Sequence, residues 1–255
     1  HNGRRRQRQM CIRDSSNWVE FSKANSKGWK NAGYRFESYG DSLQGVDLPV
    51  IYPEEIDPDL PLVLILGRQH GNESSQNFII EGIIEDLFAR EDWKEHFQVI
   101  IYPFLNPDGA KKNIRYNAEN LDLNRQWTAD LKYEKNAREI ALTHHHLHQL
   151  IEGDYEKIAY LWDMHGSFTR DFVYRCHEDF ISHDYYDQQT ELINTLAKYD
   201  QWQKGTYVLS NGHKQMARIL FGVQHKVNAL THETPRRVSD GRTEDVLRSQ
   251  GAAIV

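Results

Sequence analysis

The stretch LVLILGRQHGNES, residues 62–74, decides how this chain is read. Its first five residues are a continuous apolar run, which fits a buried strand. The run opens into His70, then Gly71, then Glu73. A histidine at a strand end and a carboxylate three residues on, across a turn that contains a glycine, can approach one ion from adjacent directions. Taken alone, the pair also fits a capped strand-to-helix turn, because a chain with 13 histidines yields His-x-x-Glu by chance.

Outward from this stretch, apolar runs alternate with amphipathic ones. Strands are expected near 34–39, 60–66, 98–104, 158–164, 172–175, 207–209 and 227–231, and helices near 75–89, 130–151, 184–199, 214–221 and 243–250. This is an α/β pattern with a mostly parallel sheet, and no internal repeat or low-complexity linker interrupts it. In such sheets the chemistry gathers where strands end. The 98–104 strand is followed by Asn106, Pro107, Asp108 and Gly109; the 158–164 strand delivers Asp163 and His165; the last strand delivers Glu233. His70, Glu73 and His165 would complete a His₂Glu set, one of the recurring combinations for zinc with an open position.

Composition narrows the alternatives. With 39% hydrophobic residues, 255 residues can bury one substantial core. No apolar run approaches the ~20 residues of a spanning helix, so no membrane partner is expected. Residues 1–15, HNGRRRQRQMCIRDS, look like a nucleic-acid arm, but back-translation of 5–15 resembles a sequencing-library adapter read through in frame. The expectation is a non-native segment at 1–15 and a single catalytic domain over 16–255 whose native termini are both in question, with compartment unreadable. The first fifteen residues hold five arginines and one aspartate, +4 of charge, so the remaining 240 carry −10 against −6 for the whole chain. An acidic protein of this kind argues against nucleic acid as a partner. With Cys11 in the excluded segment, Cys176 is the one remaining cysteine, so any metal must be held by His, Asp or Glu.

Three further motifs follow HGNE in order: NPDGAKKNIRYNAENLDLNRQW at 106–127, DMHGS at 163–167 and THETP at 231–235. The set resembles the zinc metallocarboxypeptidases of the carboxypeptidase A type over roughly 34–237. The resemblance implies a three-layer α/β/α fold with a mixed, mostly parallel central sheet, and one Zn²⁺ per chain on His70, Glu73 and His165. It makes Asp122 the carboxylate that orients His70, Arg115 the oxyanion stabiliser, and Asn124 with Arg125 the grip on a substrate's terminal carboxylate. Glu233 matches the general base for a metal-activated water. The expected substrate is a peptide with a free C-terminal carboxylate. Tyr207, 26 residues before Glu233, is a candidate for the family's substrate-binding loop tyrosine, although GTYVLS also reads as a strand.

Other readings stay open. A zinc amide hydrolase of small N-acyl amino acids, like aspartoacylase and succinylglutamate desuccinylase, shares the His-x-x-Glu, Asp-Leu-Asn-Arg and Asp-x-His elements, and a cell-wall peptide amidase of the same fold is a related alternative. A silent binding module would have lost the base or a ligand, and neither is lost. Arg218 could meet an acidic substrate side chain or stand on a solvated helix face. His144 and His148, one helical turn apart in THHHLHQL, read as a polar, partly exposed helix without a nearby third ligand. Cys176 reads as a small residue at a strand end.

Overall fold

The computed structural model describes residue 25 and residues 27–90, 92–130, 137–168, 170–235 and 242–255. The expected non-native segment at 1–15 lies outside the described residues.

Eight strands form one sheet: β1 (Tyr34–Asp41), β2 (Asp47–Pro53), β3 (Leu62–Gly67), β4 (Gln98–Tyr102), β5 (Ile158–Ser167), β6 (Phe172–Arg175), β7 (Tyr207–Leu209) and β8 (Asn228–Pro235), in the order β1-β2-β4-β3-β5-β8-β6-β7. The centre, β4-β3-β5-β8, is parallel throughout. Antiparallel pairs sit outside it, at β1-β2, β2-β4 and β8-β6. The sheet is therefore mixed and mostly parallel, as expected.

Strand periodicity builds the layers. On β3, Leu62, Leu64 and Leu66 join one core while Ile65 joins the other, and β4 divides Ile100 and Tyr102 from Val99 and Ile101 in the same way. Helices α1 (Ser75–Ala89), α4 (His183–Tyr199) and α6 (Glu244–Ala252) supply Ile79, Ile83, Ile193, Leu196 and Leu247 to the core that holds Ile65, Val99 and Ile101. Helix α3 (Arg138–Leu150) and the short α5 (Ala217–Ile219), which runs on into a π-helical turn at Leu220–Gln224, cover the other face through Ile140, Leu147, Ala217, Leu220 and Phe221. Three layers result. Among the described residues, no helix is long and apolar enough to cross a membrane.

Three elements depart from expectation. β2 was not expected, because Pro49 and Pro53 break its strand pattern; they pair with Ser38 and Tyr34 in the antiparallel ladder with β1, where a missing N–H is tolerated. The helix expected over 130–151 is seen as α3 from Arg138, with 131–136 outside the described residues. The expected 214–221 helix starts only at Ala217, after the Met216 cap, and continues into the wider π turn.

Candidate active site

β5 and β8 pair residue for residue from Tyr160↔Asn228 to Ser167↔Pro235, well beyond the last β3 partner, Gly67↔Met164. His165 and Glu233 therefore lie within strands, as register partners, rather than in loops after them as the sequence suggested. The segment that follows β3 folds back towards this overhang.

That segment is held by a buried cation. Arg68 adopts a left-handed backbone (φ 55), uncommon for a residue with a side chain. Its Nε and Nη2 donate to Gly71 O at 3.1 and 2.8 Å, and Nη1 donates to Asn77 Oδ1 at 2.7 Å. A Cβ on Gly71 would overlap the backbone of Gly109 and Ala110, so the glycine lets the metal-site loop and helix α2 (Pro107–Lys112) touch backbone on backbone. NPDG gains its meaning here. Asn106 caps α2 through Gly109 N at 2.9 Å, Pro107 occupies the first turn, and Asn106 Nδ2 donates to Gln69 O at 3.0 Å.

His70 Nδ1 lies 2.9 Å from Glu73 Oε1 and 3.0 Å from His165 Nδ1, while Glu73 Oε2 is 3.2 Å from His165 Nδ1 and accepts from Gly166 N at 2.8 Å. All three residues are buried, and their ligand atoms lie within 4.8 Å of one another. The outer face of each ring is held by a carboxylate: His70 Nε2 is 3.0 Å from Asp122 Oδ1, and His165 Nε2 is 3.1 Å from Asp163 Oδ1. An imidazole whose Nε2–H is engaged outward offers its Nδ1 lone pair inward. Two nitrogens and a carboxylate facing one point fit a metal ion. Burial alone would raise the Glu73 carboxyl, but the two imidazoles outweigh it and hold the group well below the usual carboxylate range.

Asp122 reaches three ways, since its Oδ1 also accepts from Asn124 N at 3.0 Å, capping the 3-10 turn Leu123–Arg125, and its Oδ2 accepts from Arg115 Nε and Nη2 at 3.0 and 2.9 Å. Arg115 Nη1 then stands 3.6 Å from Glu73 Oε1. Arg115, Asn124, Arg125 and Glu233 all line a cavity of about 730 Å³ together with the three metal-site residues. Asn124 also joins this turn to α5 and β5, because its Oδ1 accepts from Ala217 N and its Nδ2 faces His165 Nε2, both at 3.0 Å. Burial pushes the Glu233 carboxyl up to about 7, with the charge of Glu73 adding to the effect and those of His165 and His70 opposing it.

Some expectations fall away. Tyr207 is outside the cavity, on β7, 45% exposed, with its ring 5.3 Å from the Arg175 guanidinium. The stretch GTYVLS forms the strand β7, and Tyr207 is not among the residues lining the cavity. Arg218 is not on a solvated face; it is fully buried and lines the cavity. His144 is 1% exposed rather than part of a polar helix face, and it bonds Tyr155 Oη at 2.8 Å. The π turn brings His225 beside it, stacked on Tyr155 with ring centroids 3.8 Å apart. Cys176 is buried just beyond β6, as a small residue at a strand end.

Sequence reasoning missed Gln69. Its Nε2 donates to Asp163 Oδ1 at 2.6 Å and its Oε1 accepts from Trp127 Nε1 at 2.8 Å, so it braces the carboxylate behind His165. Gln69, in the middle of RQHGNE, was visible as a loop amide beside the metal motif, but its partners are 94 and 58 positions away.

The fold and this site define a carboxypeptidase-like α/β protein with a candidate metal centre. Residues 59–201 match the succinylglutamate desuccinylase/aspartoacylase catalytic domain, and the chain belongs to that family. Mouse cytosolic carboxypeptidase 6 is 34% identical over 109 residues, 38% of this chain and 20% of that protein. Carboxypeptidase 2 of Trichophyton equinum is 27% identical over 129 residues, 46% of this chain and 23% of that protein. The matched segments thus span about a fifth of these relatives' length. Among solved structures, a metallo-carboxypeptidase from Burkholderia cenocepacia superposes with a TM-score of 0.75 at 19% identity, over 91% of this chain and 65% of that one. One from Pseudomonas aeruginosa, in complex with (2-guanidinoethylmercapto)succinic acid, gives 0.71 at 20% identity, over 91% of this chain and 66% of that one. These neighbours share the fold, and the relatives and neighbours alike carry the names of carboxypeptidases, which are hydrolases.

Proposed function

We propose that this chain is a zinc-dependent carboxypeptidase that releases the last residue of peptides ending in a free carboxylate. The observation that carries the reading is the convergence, in one cavity, of the His70–Glu73–His165 cluster with Glu233 and the cationic pair Arg115 and Arg125.

His70, Glu73 and His165 would hold the zinc ion, which would supply a Lewis acid for the scissile carbonyl and an acidified water near neutral pH. Everything else falls to the chain. Glu233, beside His165 in the β5–β8 ladder, accepts a proton from the attacking water and delivers it to the departing amine, a role suited to a carboxyl whose pKa lies near 7. Arg115, fixed by Asp122, presents Nη1 towards charge that develops on the carbonyl oxygen. Arg125, whose Nη1 donates to Asn124 O at 2.6 Å, offers its remaining donors to the terminal carboxylate, and Asn124 steadies it from the buried side. That grip sets the register, so only the last bond meets the metal.

The family match favours a second reading, hydrolysis of small N-acyl amino acids. One substrate panel separates the two: a short peptide as free acid, its C-terminal amide, and N-acyl amino acids, each with chelator and with added zinc. A hydrogen bond to a charged group contributes roughly 1.5–3 kcal/mol, so the acid should be cleaved at least about tenfold better than the amide in kcat/KM. Chelation should abolish both activities and zinc restore them. Equal cleavage of acid and amide would overturn the carboxypeptidase reading, and turnover of N-acyl amino acids alone would replace it with the second.

A further inference from the structure

The two histidines of the metal cluster are held from outside by carboxylates in different circumstances. Asp122, behind His70, is neutralised by Arg115 and also accepts from Asn124 N. Asp163, behind His165, is fully buried, and among the described residues its one ion pair is with His165 itself. Its Oδ2 has no hydrogen-bond partner there, so Oδ1 alone carries its contacts. A buried carboxylate without an arginine or lysine is costly, and its direction depends on whatever else donates to it.

That donor is Gln69. The two ends of a side-chain amide are close in shape, but here chemistry fixes which way it faces. Trp127 Nε1 can only donate, so the Gln69 oxygen must meet it, at 2.8 Å. Nε2 is left for Asp163 Oδ1 at 2.6 Å, and the same nitrogen stands 3.4 Å from His165 Nε2. Asn124 is fixed likewise: Ala217 N donates to its Oδ1, which turns Nδ2 towards His165 Nε2 at 3.0 Å. His165 Nε2 therefore faces two amide nitrogens that carry hydrogens and one carboxylate oxygen. Only the oxygen can accept its proton, which in the neutral ring leaves the Nδ1 lone pair on the side of Glu73 and His70. Trp127 is a firm end to this series. It is fully buried, its backbone N donates to Gln215 O at 3.1 Å, and its ring centroid lies 5.7 Å from that of Phe221 and 5.8 Å from that of His144.

We propose that Gln69, backed by Trp127, is a positioning residue for the metal: the series Trp127–Gln69–Asp163 fixes the His165 ring and thereby sets how tightly the site holds zinc. This rests on the reading of His70, Glu73 and His165 as the metal set, and not on which bond is hydrolysed.

The test needs no substrate. Zinc affinity is measured by competition with a chromophoric chelator, and Co²⁺ serves as a coloured stand-in whose visible spectrum reports ligand geometry. Gln69→Met keeps the length of the side chain and removes both hydrogen bonds; it should weaken zinc at least about tenfold and shift the Co²⁺ bands. Trp127→Phe removes one neutral donor and should weaken zinc by at least about threefold. In the Gln69→Met background, Trp127→Phe should change the affinity no further, because the indole acts through the amide. Melting of the metal-free proteins is followed alongside, since a merely structural role would lower that Tm and leave the affinity and the Co²⁺ spectrum of the folded protein unchanged. If Gln69→Met does not fold, Trp127→Phe alone decides, weaker zinc binding supporting the proposal and unchanged binding overturning it. Parent-like affinity and Co²⁺ spectrum in Gln69→Met, or losses from the two substitutions that multiply, would overturn it as well. A parent protein that takes up neither ion would remove the metal set itself, a result distinct from variants that bind as the parent does.

Discussion

Glu233 and the three metal-site side chains line the same cavity, but their removal should have different effects. His70→Ala, Glu73→Ala and His165→Ala each take a donor from the cluster and should lower the zinc content of dialysed protein. Glu233→Gln keeps the shape, cannot accept the proton, and should retain zinc while turnover falls by at least about a hundredfold. Metal analysis beside a peptide assay checks both; a Glu233→Gln protein as active as the parent would remove the base from the mechanism. The residues proposed for these roles were legible because each sits in a short motif whose chemistry is local. Gln69, Asn106 and Trp127 were not, since what they do depends on partners brought by other strands. Arg218 shows the limit from the other side: helical spacing leaves a solvated face open to it, whereas the fold buries it in the cavity wall.

Among the elements, the contact between the metal-site loop and α2 is the tightest constraint on the site. Gly71→Ala must push the Gly109–Ala110 backbone aside, so it should cost about 1–3 kcal/mol in urea unfolding and weaken zinc binding as well. Unchanged stability and affinity would show that the loop gives way freely. The histidine cluster between α3 and the π turn makes a prediction about pH. Burial first, then the charges of His225 and His148, pull the His144 pKa from 6.5 to about 4. The unfolded chain therefore binds this proton before the folded one, so the contribution is intact above pH 6.5 and is lost as pH falls from there towards 4. The full shift corresponds to about 3 kcal/mol. Chemical unfolding at a series of pH values should give a shallower slope across this window for His144→Phe than for the parent; identical slopes would dismiss the cluster as a source of acid sensitivity. At this scale the sequence was a good guide to α1 over Ser75–Ala89 and β7 over Tyr207–Leu209, whose bounds match those expected. It failed at β2, whose prolines are harmless only because of where they fall in the ladder, and at the start of α5, where the cap and the π turn follow from packing.

For the molecule as a whole, α/β alternation foretold the mostly parallel sheet and the resemblance implied the three layers, whereas strand order could not be read from the chain, because pairing between distant strands leaves no local trace. That order places β8 between β5 and β6. The side chains of the metal cluster are all in place by residue 165, yet the strand that carries Glu233 belongs to the final part of the described chain and must wedge between two neighbours made earlier. In the proposed mechanism, the His70–Glu73–His165 cluster is thus complete in the emerging chain well before the base is. Until β8 inserts, β6 and β7 have no ladder joining them to the rest of the sheet, and such long-range pairing is slow to form. In pulse-labelled refolding, amides of β3, β4 and β5 should become protected before those of β6, β7 and β8, with zinc binding preceding activity. Simultaneous protection of all the strands would refute this sequence of events. Under the proposed function, the topology then serves as a time delay, holding the hydrolytic machinery incomplete towards neighbouring unfolded chains until the sheet is finished.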